Sequence, residues 1–315
     1  MLPEEQNEPI IDERAGRKTS VLAFNSLKML RLLIISMRPS QWYKNILLFA
    51  TIIFAAKLEN ASMWALLVVA FIYFCVLSGA GYLINDVIDR EKDRSHPRKC
   101  QRPIASGNLS MQHALWVAVM LIVLVLVGAY LTINLRFFIV SVSYIVLGIL
   151  YSLVLRKQAV VDVMAISAGF VIRVTAGAVA ISLLPSSWLV ICVFLLALFL
   201  ALEKRRQEVI ILGDEVRNHR ASFSGYSLDL LNLQIGIVSG VLVISYIMYT
   251  FYSPYDHMLY TLPFVIYGIF RYLYLTHEKE VLAEPHHVFA DRAILVNLGL
   301  WVLAVISIIT YEKLL

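Results

Sequence analysis

Charged residues are scarce in this 315-residue chain, and cysteines are scarcer still. Asp, Glu, Lys and Arg make up 16% of the sequence and hydrophobic residues 60%, a balance that excludes an ordinary soluble globular domain. The three cysteines lie far apart, so neither a disulfide framework nor a cysteine metal cluster is expected. The first twenty residues lack the apolar core of a cleaved signal sequence. We expect residues 1–21 to form a disordered cytoplasmic tail.

Long apolar runs fill most of the remaining chain. A transmembrane helix needs ~20 apolar residues, and nine segments, the first of them short, are candidates. They are residues 45–57, 61–84, 112–133, 135–155, 159–183, 187–203, 232–251, 257–275 and 293–311. Residues 22–44 are expected to form an amphipathic helix at the membrane interface. The sequence therefore predicts an all-α polytopic membrane protein, with residues 45–315 as a single domain of nine transmembrane helices.

Basic residues are distributed unevenly between the two sides of this predicted bundle. If the N-terminus is cytoplasmic, only Lys57, Arg136 and Lys313 fall on the outer side, as the positive-inside rule predicts. The net charge of +5 then reflects topology, and no nucleic-acid partner is expected. The longest polar loops lie on the inner side, so we predict an integral plasma-membrane protein whose active site faces the cytoplasm.

The most ordered acidic pattern lies where the second predicted span ends. Asn85, Asp86, Asp89 and Asp93 follow the pattern NDxxDxxxD, and ~100° per residue on a continued helix places all four on one arc. Three carboxylates this close repel one another, and hard oxygen ligands suit Mg²⁺ carrying a substrate diphosphate. The pattern predicts metal ligands at these four positions, with the three aspartates catalytic. The alternative is a solvated loop whose carboxylates pair with adjacent basic residues.

The segment that carries these aspartates resembles the first aspartate-rich motif of the UbiA superfamily of intramembrane prenyltransferases. The resemblance implies nine helices around a central cavity that opens to the cytoplasm, and Mg²⁺ that holds a diphosphate. RPSQWYKN at residues 38–45 and RKCQRPIASG at 98–107 resemble the superfamily's phosphoribosyltransferase branch. In these motifs Lys44, Arg98 and Arg102 are candidate substrate-binding residues, since cations of this kind hold phosphate oxygens.

A second charged stretch, residues 203–227, departs from the pattern of aromatic prenyltransferases in this superfamily. Asp214 and Asn218 retain only part of a second aspartate motif, which argues against a second complete magnesium site. A sugar donor that carries a 5-phosphate would instead need cations. Lys204, Arg205, Glu208 and Arg220 are the candidates here, although basic residues that merely flank a span are the alternative.

Ionisable residues in and around two other spans complete the candidate site. Asp162, Gly169, Arg173 and Gly177 share one face of the fifth span. An arginine at membrane depth costs on the order of 3 kcal/mol, so Arg173 needs an anion or water as a partner; a structural role and a contact with lipid phosphate are both open. The remaining candidates, which match family patterns only in part, are Tyr151, Arg156, Lys157, Asp291 and Arg292.

These features predict a magnesium-dependent phosphoribosyltransferase. It would transfer 5-phosphoribosyl from phosphoribosyl diphosphate to a polyprenyl phosphate of the decaprenyl type within the bilayer. The alternatives are an aromatic prenyltransferase of the same superfamily, which uses a polyprenyl diphosphate, and an anion transporter. The sequence does not determine the oligomeric state, and a homo-oligomer is one of the possibilities.

Overall fold

Helices make up all the regular structure of the residues that can be described. The computed structural model describes residues 27–212, 226–277 and 291–314. Eight of its helices are long and apolar enough to cross a membrane. They are α1 (Ala61–Ile88), α2 (Met111–Thr132), α3 (Leu135–Leu153), α4 (Val161–Ala180), α5 (Ser187–Leu212), α6 (Leu228–Tyr252), α7 (Leu262–His277) and α8 (Arg292–Leu314). The 3₁₀-helix Asp256–Thr261 leads directly into α7 and completes that span. The predicted all-α polytopic membrane fold is confirmed.

The predicted first span, residues 45–57, differs from an ordinary transmembrane helix. A 3₁₀-helix covers Pro39–Phe49, and a short α-helix, Ala50–Phe54, follows it. Such a long 3₁₀ run is uncommon, and here close packing accompanies it. A Cβ atom added at Gly177 of α4 would lie 2.1 Å from the Leu48 carbonyl oxygen. The glycine therefore allows the backbone of the 3₁₀-helix to lie directly against α4.

The N-terminal part of the structure contains a separate short helix. Within the predicted interfacial segment 22–44, the described helix runs from residue 27 to residue 36. It ends just before Arg38, whose φ of 52° is left-handed, and Pro39 then starts the 3₁₀-helix. Leu33 is buried against Ala80 and Leu83 of α1, whereas Lys28 and Arg31 are exposed. Residues 1–26 lie outside the described residues, so the predicted tail stays a prediction.

Consecutive helices of the bundle run in opposite directions, and several of them begin at a side-chain cap. The side chains of Asn60, Asn134 and Ser227 accept hydrogen bonds from the first turns of α1, α3 and α6, which satisfies backbone N–H groups that have no partner within the helix. α2 and α3 are joined by only two residues. The ends of α1, α3, α5 and α7 consequently lie on one side of the bundle, called the aspartate end below.

The helix α4 forms the centre of the bundle. Twelve of its twenty residues are buried, and many of them are small, which lets neighbouring helices approach closely. By contrast, large apolar side chains such as Trp116, Leu131 and Leu303 lie exposed on outer helices, as expected for a surface in contact with lipid. α4 therefore carries the buried polar residues Asp162 and Arg173 in the interior of the bundle.

Candidate active site at the aspartate end

The first aspartate motif continues α1, as its spacing predicts. Regular helix ends at Ile88 and resumes at Arg90–Arg94. The Asp89 N–H donates to the Asn85 carbonyl at 2.9 Å, and the Asp93 N–H donates to the Asp89 carbonyl at 2.8 Å. The helical phase therefore survives the single-residue break. Asn85, Asp86, Asp89 and Asp93 are consequently held on one side of the chain.

Two arginines neutralise the two buried aspartates of this motif. Asp86 and Asp93 are 2% and 4% exposed. Arg102 donates to Asp86 Oδ1 at 3.2 Å and to Asp93 Oδ2 at 2.6 Å. Arg38 also donates to Asp86 and lies over the ring of Tyr82. Since buried carboxylates need paired charges, these contacts balance the charges of the two acids.

The third aspartate is held by an arginine from a different part of the chain. Arg156 follows α3 and forms a bidentate pair with Asp89, both N–O distances being 2.5 Å. Asn85 donates to Asp89 Oδ2 at 3.2 Å and accepts from the Ser152 hydroxyl at 3.0 Å. The planar guanidinium fork fixes the carboxylate in one orientation. The end of α3 is thereby attached to the end of α1.

A buried network connects α4, α5 and the start of α6. Asp162 and Arg205 are 0% and 3% exposed, and Arg205 Nε donates to Asp162 Oδ2 at 2.8 Å. Arg205 also binds Glu208 one turn further along α5. The other carboxylate oxygen, Asp162 Oδ1, accepts from the Tyr226 hydroxyl at 2.8 Å and the Val163 N–H at 2.9 Å. Arg205 is therefore held by two carboxylates.

The intramembrane arginine has neutral partners among the described residues. Arg173 is 7% exposed and donates to Asn45 Oδ1, the Gly169 carbonyl and the Tyr144 hydroxyl, each at 2.8 Å. The guanidinium also lies 4.8 Å from the centre of the Tyr144 ring, a favourable cation–π distance. Hydrogen bonds thus satisfy much of this guanidinium, but no carboxylate of the described residues pairs with it.

Lys44 lies within electrostatic range of three other cations, Arg173, Lys204 and Arg38. Lys44 is half-buried in the 3₁₀-helix, and its pKa is lowered to about 8, first by desolvation and then by the charges of Arg173, Lys204 and Arg38. A lysine ammonium that is both desolvated and surrounded by like charges gains much from a bound anion. This group of cations is therefore a candidate phosphate site next to the aspartates.

The remaining predicted residues occupy more varied positions. Tyr151 lies half-buried in α3, within electrostatic range of Arg156 and Arg205. Exposed positions are occupied by Arg98, Lys157, Lys204 and Arg292. Asp291 caps α8 by accepting from the Ile294 N–H at 3.0 Å and pairs with Arg271 at 2.9 Å. Arg220, Asp214 and Asn218 lie outside the described residues.

The donor set of the aspartate motif fits a hard divalent cation in chemistry. It offers carboxylate and amide oxygens of the kind Mg²⁺ prefers. Within residues 27–212, 226–277 and 291–314, however, no three His, Cys, Asp or Glu side chains are grouped closely enough to hold a metal ion. Arg38, Arg102 and Arg156 occupy the carboxylate oxygens instead. A metal would therefore bind only as these arginine contacts rearrange.

Some residues of this site are not identified by sequence reasoning. Arg38 and Asn45 lie at the two ends of the RPSQWYKN motif, in which the sequence predicts only Lys44 as a binding residue. Tyr144 and Tyr226 are two of sixteen tyrosines and carry no distinguishing pattern. Their roles depend on partners 29 and 64 residues away along the chain.

Apolar spans that enclose paired aspartates and arginines at one end define a polytopic membrane protein with an ionic site. The model of the UbiA prenyltransferase family matches residues 46–283, and the chain belongs to this family. Decaprenyl-phosphate phosphoribosyltransferase from Mycolicibacterium smegmatis is 35% identical over 224 residues, 70% of each chain. The enzyme of the same name from Mycobacterium tuberculosis strain CDC 1551 is 31% identical over 280 residues, 86% of this chain and 91% of the relative.

The fold is also found in a solved structure of the family. A UbiA homolog from Archaeoglobus fulgidus, determined with DMAPP and Mg²⁺ bound, superposes with a TM-score of 0.69 at 18% identity. The superposition covers 90% of this chain and 99% of the homolog. At this level of identity the likeness establishes the shared fold alone.

Proposed function

We propose that this protein transfers 5-phosphoribosyl from phosphoribosyl diphosphate to a polyprenyl phosphate and releases diphosphate. The observation that carries the proposal is the pairing of Asp86, Asp89 and Asp93 with three arginines at the aspartate end. Such an array separates into metal ligands and phosphate ligands when a magnesium diphosphate binds. The similarity to two phosphoribosyltransferases over most of the chain supports a phosphoribosyl donor.

In this proposal the aspartate motif holds Mg²⁺ together with the donor diphosphate. Asn85, Asp86, Asp89 and Asp93 would hold the ion, which would supply neutralisation of the charge on the leaving diphosphate. Arg38, Arg102 and Arg156 then move from carboxylate oxygens to diphosphate oxygens, which are equally good partners for guanidinium groups. The cost of releasing each carboxylate is offset because both partners stay paired with opposite charge.

The second phosphate site is assigned to the cations around Arg173. Arg205 is held by Asp162 and Glu208, so its charge is already matched by carboxylates. Lys44, Arg173 and Lys204 have charges that repel one another and are better suited to bind the phosphate of the acceptor lipid or the 5-phosphate of the donor. Arg98, Lys157, Arg220 and Arg292 remain candidates for the rim of the site.

The chemistry needs few groups from the protein. The bond between the anomeric carbon and the diphosphate oxygen breaks, and a bond from that carbon to an oxygen of the lipid phosphate forms. The attacking phosphate is ionised at neutral pH and therefore needs no general base. The main contribution of the chain is to align two anions that otherwise repel each other.

The same proposal accounts for the location of a sugar-phosphate transferase within a bundle of membrane spans. The isoprenoid tail of the acceptor stays in the bilayer, while the phosphate reaches the aspartate end. With most basic residues at this end, the positive-inside rule places it in the cytoplasm, where a water-soluble donor is available. The proposed location is the plasma membrane.

Diphosphate release by the detergent-purified protein tests this function. Wild-type protein, an Asp89→Asn variant and a Glu59→Gln variant receive Mg²⁺, phosphoribosyl diphosphate and a polyprenyl phosphate. Glu59 pairs with Lys313 at the opposite end of the bundle and serves as the control. We expect lipid-dependent release in wild type and Glu59→Gln but not in Asp89→Asn. Turnover only with an allylic diphosphate and an aromatic acid would instead assign the protein to the aromatic prenyltransferases.

A further inference from the structure

We infer that Tyr226 is a positioning residue that fixes both Arg205 and the loop of Arg156 through a single hydroxyl group. The inference rests on the proposed function, because it assigns this tyrosine to the diphosphate site. Tyr226 is 8% exposed and precedes α6 by two residues. Its hydroxyl donates to Asp162 Oδ1 at 2.8 Å and accepts from the Val160 N–H at 2.7 Å.

The contact with Val160 stabilises an unfavourable backbone conformation. Val160 has a φ of 67° and a ψ of −49°, a region that β-branched residues rarely adopt. Such a conformation persists only where neighbouring contacts enforce it. The hydroxyl of Tyr226 provides one of these contacts by accepting the Val160 N–H at the entry to α4. A phenyl ring at position 226 would leave that N–H without its partner.

The strained residue Val160 closes the loop that carries Arg156, a diphosphate contact of the proposed site. The 3₁₀ turn Leu155–Lys157 ends three residues before Val160, and Arg156 forms the bidentate pair with Asp89. A shift of the loop would therefore move Arg156 relative to the aspartate motif. Tyr226 is distant from Arg156 in sequence, yet its hydroxyl group contacts Val160 at the end of the Arg156 loop.

The contact with Asp162 acts on the second arginine. Asp162 Oδ1 accepts from Tyr226, and Oδ2 accepts from Arg205 Nε. The tyrosine hydroxyl thus fixes the rotation of the carboxylate and, through it, the position of the guanidinium. One residue consequently links the turn of Arg156, the start of α4 and the end of α5, three elements that surround the aspartate end.

A matched pair of tyrosine variants tests the inference. Tyr226→Phe removes the hydroxyl and little else. Tyr246→Phe removes an equally buried hydroxyl, which bonds to Thr261 at 2.6 Å and Trp301 at 2.9 Å at the opposite end of the bundle. We expect kcat/KM for the phosphoribosyl donor to fall roughly tenfold in Tyr226→Phe, since small misplacements of substrate-binding groups cost rate. The KM for the lipid should stay unchanged, and Tyr246→Phe should keep wild-type kinetics.

A second readout separates this inference from the proposed reaction. Amide hydrogen exchange in residues 155–163 should become faster in Tyr226→Phe and stay as in wild type in Tyr246→Phe. Wild-type protein that releases no diphosphate would contradict the proposed function, while the exchange comparison would still decide the positioning role. Equal exchange in both variants, or unchanged donor kcat/KM in an active Tyr226→Phe enzyme, would overturn the inference.

Discussion

The ion pair between Asp162 and Arg205 makes a prediction that can be worked out from its geometry. Asp162 is completely buried and accepts three hydrogen bonds through two oxygens, from Arg205, Tyr226 and Val163. Asn at position 162 has one acceptor oxygen and places an N–H₂ group against other donors. Removing one partner of a buried pair typically costs ~3–5 kcal/mol. Because Glu208 also pairs with Arg205, the expected loss lies near the lower limit, about 3 kcal/mol.

Thermal unfolding in detergent measures this loss against a matched control. At roughly 2–4 °C per kcal/mol for a domain of this size, Asp162→Asn should lower the melting temperature by about 6–12 °C. The control is Asp291→Asn, which removes the same charge from the pair of Arg271 and Asp291, whose side chains are 25% and 18% exposed. Exposed pairs contribute ~0–1 kcal/mol, so its shift should be a few degrees at most. Similar melting temperatures for the two variants would refute the reasoning.

Three further predictions concern pH, packing and metal. Because the pKa of Lys44 is lowered to about 8, the ammonium form is lost as pH rises through 8, and kcat/KM should decrease above that pH. Lys44→Arg should remove this decrease. A variant whose pH profile equals that of wild type would contradict the role of Lys44. Gly177→Ala places a Cβ against the Leu48 carbonyl at 2.1 Å and should destabilise the fold by ~1–3 kcal/mol. Gly236→Ala, which meets nothing within 4 Å, should not, and equal melting temperatures would show that the 3₁₀-helix does not pack tightly on α4. Chelation with EDTA should abolish diphosphate release and added Mg²⁺ should restore it, whereas release that persists in EDTA would exclude the metal from the reaction.

The helices and the aspartate motif are the parts of the molecule that local sequence information predicts well. Apolar length alone identifies eight of the spans, because the bilayer sets a minimum helix length. The arc of Asn85, Asp86, Asp89 and Asp93 follows from helical periodicity, which continues through the break at Asp89. Both features depend only on residues within a few turns of each other.

The partners of these residues could not be predicted in the same way. Arg38 reaches Asp86 across 48 residues, and Asn45 reaches Arg173 across 128 residues. No periodicity encodes such contacts, since they result from how α1, α4 and the 3₁₀-helix pack together. Arg173 likewise contacts neutral oxygens and an aromatic ring of the described residues, partners that its charge alone does not identify. The 3₁₀-helix is not predictable from the sequence because its apolar pattern resembles that of a short α-helical span.

Transfer of a labelled group into the lipid fraction tests the central claim most directly. Detergent-purified protein with Mg²⁺ and a polyprenyl phosphate is given phosphoribosyl diphosphate labelled in the ribose, and the organic-extractable product is measured. The proposed function predicts that label enters the lipid in proportion to the diphosphate released, and that Asp89→Asn abolishes both. Diphosphate release without label in the lipid would contradict it, because the ribosyl group would then have been transferred to water rather than to the polyprenyl phosphate.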